Sequence, residues 1–171
     1  MTETIRTLNA RKSCRSYTEE PVSEELLDAV LGCGTHAPSG RNCQAVKLVA
    51  VTDRALVAKL AEMNALGGGG DPFYGAPCVI IAFGVKSGCT PFQDACLTLG
   101  NMLNAAYSLG LGACYINRAK EMFESDEGKA LLREWGIDEE VFGVGCMILG
   151  HIKGELHPDL PRKSDYIIKI G

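Results

Sequence analysis

The chain has 171 residues, which suits one domain built round one sizeable core. It is 46% hydrophobic and 22% charged, and this excludes a disordered chain or a long charged tail. A formal net charge of -4 excludes the global basic footprint that draws nucleic acid, leaving room only for a local anion pocket.

Thr4 to Ala10 reads as a short helix with Ile5 and Leu8 turned inward. Ser23 caps a helix from Glu24 to about Cys33. Its first-turn Glu24 and Glu25 complement the dipole, and Leu26, Leu27, Val30 and Leu31 form its apolar stripe. Val46 to Val51 reads as a strand. Asp53 caps the next helix, with Leu56, Val57, Leu60 and Met63 on one face. Gly67 to Gly70 lacks the Lys-Ser or Lys-Thr of a phosphate loop and reads as a surface loop or short cover. Cys78 to Gly84 is a fully buried strand. Thr90-Pro91 opens the longest helix, whose stripe runs Phe92, Ala95, Cys96, Leu99, Met102, Leu103, Ala106. Gly110 ends it. Glu127 to Trp135 is a further amphipathic helix closed by Gly136, Phe142 to Leu149 a buried strand, and Tyr166 to Ile170 a terminal one. Strict βαβ alternation is missing, so the expected class is α+β, a layered sandwich rather than a doubly wound dinucleotide fold.

Eight cysteines are many for this length: Cys14, Cys33, Cys43, Cys78, Cys89, Cys96, Cys114 and Cys146. None has C-x-x-C or zinc-like spacing, and several lie on apolar patterns, so they read as reduced thiols. Met1 to Thr4 lacks the features of a secretory signal, and no apolar run reaches membrane-spanning length. The expectation is a cytoplasmic protein with no membrane and no nucleic-acid partner.

Four segments could carry chemistry. Arg11, Lys12 and Arg15 bring three cations within five residues, with Ser13 between them. Run as an extended segment, Arg11, Ser13 and Arg15 point the same way and could grip a phosphate and an adjoining polyol. A solvated basic turn is the plainer alternative. In Ala37 to Gln44, the turn Pro38-Ser39-Gly40 is followed by Arg41, Asn42 and Gln44. Asn and Gln each pair a donor with an acceptor, which suits a heteroaromatic edge or a ribityl hydroxyl. A polar surface loop fits the same residues. Gly110 to Arg118 is no GxGxxG fingerprint, because Tyr115 stands at the third glycine position. It is either a helix cap and an ordinary turn into a strand or a place where backbone approaches a flat ligand. Arg162-Lys163 is a solvated basic pair or the completion of the Arg11–Ser13 anion site. There is no GxSxG and no HExxH, and His36, His151 and His157 share no ligand spacing, which argues against a hydrolytic triad or a zinc centre.

Together these segments resemble the nitroreductase family of FMN-dependent flavoproteins. Five elements carry the resemblance, in order, over nearly the whole chain: Arg11-Lys12-Ser13-Cys14-Arg15; Ala37 to Gln44; Ala76-Pro77 with the strand Val79 to Phe83; the long helix into Leu109 to Cys114; and Arg162-Lys163. The resemblance implies one domain over 1–171, an α/β/α sandwich with a mainly antiparallel central sheet, and an intertwined homodimer with FMN at the subunit interface. It implies that Arg11, Ser13 and Arg162 or Lys163 hold the phosphate, and that Lys12 and Arg15 lie along the ribityl chain and pyrimidine edge. Pro38, Ser39, Gly40, Asn42 and Gln44 would come from the other subunit. Tyr115, Ile116, Asn117 and Arg118 would cover the ring, with the Asn117 N–H near flavin N5.

The implied activity is hydride transfer from NADH or NADPH to a small acceptor, nitroaromatic or quinone-like, by ping-pong turnover. The flavin supplies the chemistry, so no side-chain nucleophile or acid is required. A flavin store or sensor without turnover, and a reductive dehalogenase-like relative, remain as alternatives. Ala45-Val46 stands where the family has Pro-Trp, and Lys12 where it has a second Arg. The chain is also short for the family, without the insertion that often forms a lid.

Overall fold

The computed structural model describes residues 1–171. Its elements in chain order are α1 Glu3–Ala10, α2 Glu24–Thr35, β1 Val46–Val51, α3 Arg54–Ala65, β2 Cys78–Val85, α4 Pro91–Ser108, β3 Leu111–Ile116, α5 Ala119–Glu124, α6 Asp126–Glu134 and β4 Val141–His151. A single 3-10 turn, Gly40–Asn42, precedes β1. The capping residues act as their chemistry dictates. Ser23 Oγ accepts from the Leu26 N–H at 3.3 Å, and Asp53 Oδ1 from the Leu56 N–H at 2.8 Å. Pro91 opens α4, while Gly110 and Gly136, at φ 78° and 67°, close α4 and α6.

The four strands form one antiparallel sheet in the order β1-β2-β4-β3. β2 is apolar at every position because both sheet faces are covered. Val79, Ile81 and Phe83 pack with Val57, Leu60, Met122, Phe123 and Leu131 from α3, α5 and α6. Cys78, Ile80 and Ala82 pack with Val30, Ala95, Leu99 and Met102 from α2 and α4. Each such large side chain contributes roughly 1.5–3 kcal/mol by leaving water. The result is the expected α+β sandwich, with helices on both faces of an antiparallel sheet. A bulge between Ala82 and Phe83 bends the centre of the sheet, opposite Gly143 to Gly145.

Several expectations fail for one shared reason: an apolar or extended segment needs something to lie against. Tyr166 to Ile170 forms no strand. Residues 157–171 run exposed past the sheet, and Ile168 and Ile170 are 84% and 97% exposed. Within the chain this segment has no ladder partner, although the outer edge of β1 is open. Ile5 and Leu8 do not turn inward, and α1 buries no residue. Phe92 and Cys96 are likewise exposed on α4, beside Leu97. The turn at Gly110 leads into a strand as expected, β3, while α5, which follows it after Arg118, goes beyond expectation. No helix is long and apolar enough to cross a membrane.

Candidate functional site

The first candidate segment is held by backbone. Arg11 ends α1, its N–H donating to the Thr7 carbonyl at 2.9 Å. Ser13 then bridges Ala113 in parallel, and the Cys14 N–H donates to the Ala113 carbonyl at 2.9 Å. The chain therefore runs along the outer edge of β3. Cys14 points into the core, so its neighbours Ser13 and Arg15 face outward. A Cβ at Gly112 would lie 2.7 Å from Cys14 Sγ, so glycine is what lets the segment sit this close. The Tyr17 hydroxyl donates to the Cys14 carbonyl at 2.7 Å and anchors the far end. Burial, then the neighbouring thiols Cys14 and Cys114, push that hydroxyl's pKa up.

Arg11, Lys12, Ser13, Arg15 and Arg162 line one cleft of about 260 Å³. Four cations meet a single carboxylate there, Asp159, which pairs with Lys12 Nζ at 3.1 Å. Of the terminal basic pair, Arg162 lines the cleft and Lys163 does not. The Arg15 guanidinium stands 5.9 Å above the Tyr74 ring. A larger cleft of about 400 Å³ lies between α3 and residues 70–77. It sets Arg54 against Glu62 and Asp71, so its charge does not select an anion.

The second segment is a strained loop. Arg41, Asn42 and Gln44 sit at φ 53°, 54° and 51°, left-handed values that non-glycine residues rarely adopt. Side chains hold it. Ser39 Oγ accepts from the Gln44 N–H at 3.0 Å, and Gln44 Nε2 donates to Asn42 Oδ1 at 3.3 Å. The buried carboxylate of Asp94, on α4, accepts from the Gly40 N–H at 3.0 Å and from Thr90 Oγ1 at 2.8 Å. Asp94 Oδ2 is buried without a partner. Cys43 Sγ touches Cys89 Sγ at 3.4 Å, and this hydrogen bond, with lesser help from desolvation and the charges of Cys43 and Asp94, pushes the Cys89 thiol up. Ser39 and Gln44 line a separate cleft of about 210 Å³, and none of Pro38, Ser39, Gly40, Asn42 or Gln44 lines the Arg11 cleft. One chain therefore holds the two segments in separate clefts.

Tyr115 and Ile116 end β3, and Asn117 and Arg118 turn away from it. The Tyr115 hydroxyl donates to the Val144 carbonyl at 3.0 Å, directing that side chain back over β4. Burial, then the neighbouring Cys96 and Cys146, push its pKa up. Arg118 is left-handed at φ 74°. Asn64, buried on α3, donates from Nδ2 to the Asn117 carbonyl at 2.7 Å, and Arg118 Nη1 donates to the Asn64 carbonyl at 3.4 Å. Asn64 and Asp94 thus fix two of the candidate segments, and the sequence reading missed both. Their partners lie 53 and 54 positions away. The one local signal was a polar residue on an otherwise apolar helix face.

The fold and this arrangement define the class. The chain belongs to the nitroreductase family, whose model matches residues 8–68 and 64–151. Among curated relatives it is similar to the FMN reductase (NAD(P)H) of Bacillus subtilis, 28% identical over 189 residues that cover 96% of this chain and 72% of the relative. Among solved structures it is similar to a nitroreductase with bound FMN from Bacteroides fragilis, at TM-score 0.89 and 25% identity, covering 100% of both chains. A nitroreductase with bound FMN from Desulfitobacterium hafniense matches at TM-score 0.88 and 26% identity, again over 100% of both.

Proposed function

We propose that the chain, one domain over residues 1–171, is an FMN-dependent oxidoreductase. It takes hydride from NADH or NADPH and passes it to a small acceptor, nitroaromatic or quinone-like, by ping-pong turnover. The observation that carries this reading is the cleft where Arg11, Ser13, Arg15 and Arg162 converge on one side of β3. Its donor set fits a phosphate dianion, with planar guanidinium forks and a hydroxyl against a single acid. The FMN bound in the similar Bacteroides and Desulfitobacterium structures supports the same choice.

In this reading Arg11, Ser13 and Arg162 donate to the phosphate oxygens, and Lys163 adds only to the field. Lys12 and Arg15 lie along the ribityl chain and pyrimidine edge, with Arg15 steadied by Tyr74. Tyr115, Ile116, Asn117 and Arg118 form the wall beside the ring, the Asn117 backbone being fixed by Asn64. FMN, when bound, supplies the hydride chemistry. The residues bind and orient it, and none has to act as a nucleophile or acid.

The remaining wall comes from a second subunit. Pro38, Ser39, Gly40, Asn42 and Gln44 do not line their own chain's Arg11 cleft, and Asn42 and Gln44 are exposed. The exposed apolar residues give the dimer its contact surface: Ile5 and Leu8 on α1, Phe92 and Leu97 on α4, and Ile167, Ile168 and Ile170 on the terminal arm. The arm of one subunit adds to the open β1 edge of the other, a strand addition that intertwines the pair.

The test is the visible spectrum of the purified protein. It is expected to be yellow, bleached anaerobically by NADH or NADPH, and restored by a quinone or nitroaromatic compound. A colourless protein that also fails to bind added FMN sinks the reading. Bleaching by neither nicotinamide reduces it to a flavin store. Deleting residues 157–171 is expected to give a monomer by sedimentation, without FMN. A stable FMN-loaded monomer contradicts the shared site.

A further inference from the structure

We propose that Cys43 and Cys89 are a redox-modified pair, forming a reversible disulfide that latches the Ser39–Gln44 loop onto the start of α4. Four of the eight cysteines are exposed: Cys33, Cys43, Cys89 and Cys96. Cys43 and Cys89 are the pair whose sulfurs already touch, at 3.4 Å. A disulfide needs about 2.0 Å, so the sulfurs have roughly 1.4 Å left to close. The two backbones are packed together at the same place. A Cβ on Gly40 would come within 3.4 Å of Cys89 Cβ. The Gly40 N–H and the Thr90 hydroxyl share the Asp94 carboxylate. The present loop conformation therefore already holds the two sulfurs side by side.

The oxidant is a hydroperoxide, hydrogen peroxide in the simplest case. The Cys43 sulfur attacks one peroxide oxygen, the O–O bond breaks, and sulfenic acid and water form. The Cys89 sulfur then attacks the Cys43 sulfur. The S–S bond forms, the S–O bond breaks, and hydroxide leaves as water with the Cys89 proton. Two thiols and one peroxide become one disulfide and two waters. A small dithiol reverses the step by exchange.

The consequence follows from the strain in the loop. Three left-handed residues, Arg41, Asn42 and Gln44, give it reason to relax when nothing restrains it. The disulfide ties residues 46 positions apart and preorganises the wall that carries Asn42 and Gln44. Only this consequence rests on the flavin reading; the crosslink does not.

The experiment uses the FMN-loaded full chain, treated with hydrogen peroxide, alkylated without unfolding, digested and mapped by mass spectrometry. A Cys43–Cys89 peptide is expected, native alkylation falls by two thiols, and dithiothreitol restores both. FMN dissociation slows roughly two- to tenfold after oxidation. Cys89→Ser loses both effects and keeps the turnover of the reduced protein. Absence of the crosslinked peptide overturns the proposal. A crosslink with an unchanged FMN dissociation rate overturns the latch while the flavin reading stands. A protein that binds no FMN defeats the flavin reading, and the peptide map still decides the disulfide.

Discussion

The segment Arg11–Arg15 and the loop Ser39–Gln44 are both short and polar, and each forms half of a proposed flavin site, yet they are held by different means. The first lies along β3, with backbone hydrogen bonds from Cys14 to Ala113 and a bridge at Ser13. Its outward side chains are not needed to hold it in place, although Lys12 pairs with Asp159. The second has left-handed backbone at Arg41, Asn42 and Gln44, and it depends on side chains, above all Asp94. A wall held by backbone can lose a side chain and lose only affinity. A wall held by side chains loses its shape.

The largest effect tests the first half of that contrast. Arg11→Ala with Arg162→Ala removes two charge-assisted donors from the cleft. FMN affinity is expected to fall by about 3 kcal/mol or more, a hundredfold or more, in a fluorescence titration of the apoprotein. Stability is expected to hold within about 0.5 kcal/mol, because no backbone contact changes. Unchanged affinity would remove both residues from the phosphate site.

Alkaline pH loosens the sheet that supports the first wall. Burial holds the Cys78 and Cys146 thiols up at about 12, against an ordinary value of 9.0. Unfolded thiols ionise from about pH 9 while the folded ones stay protonated. Stability is thus full below pH 9 and declines from there to about pH 12, by about 1.4 kcal/mol per pH unit for each thiol. Urea midpoints at pH 8 and pH 10 measure the slope, and Cys146→Ala should make it shallower. A flat profile would mean that the thiols ionise in the folded sheet.

Next in size is the loop's main tie. Asp94→Leu leaves the Gly40 N–H without its acceptor and is expected to cost about 2 kcal/mol, with weaker FMN binding. Asp94→Asn retains an acceptor at the Oδ1 position and should lose clearly less. Equal urea midpoints for the two variants would show that the loop does not hang on this carboxylate.

What was legible in the sequence divides along the same line. Local signals read well: Ser23 and Asp53 as caps, Pro91 and Gly110 as the ends of α4, the apolar run from Cys78 as a buried strand. The residues of the basic segment at Arg11 do share one cleft, since neighbours in sequence stay neighbours in space. The turn from Gly110 into a strand was legible too, but not the role of Gly112, which is there to admit Cys14. Tyr166 to Ile170 has strand composition, but a strand needs a partner and this chain offers it none. Asp94 and Asn64 could not be assigned, because their partners are fixed only once α4 and α3 pack. The Cys43–Cys89 contact is of the same kind.

The smallest effect isolates backbone strain from side-chain ties. Arg41 is exposed, at φ 53°, and its side chain makes no hydrogen bond or ion pair within the chain. Arg41→Gly therefore removes the left-handed penalty and little else. The penalty is about 1–2 kcal/mol, against roughly 0.5–1 kcal/mol for glycine's greater freedom when unfolded. The net expectation is a gain of about 0.5–1 kcal/mol in the urea midpoint. Arg11→Gly, at the ordinary φ of -54°, should instead lose stability. Opposite signs at the two arginines would show that one proposed wall is strained and the other is not; matching signs would erase the distinction.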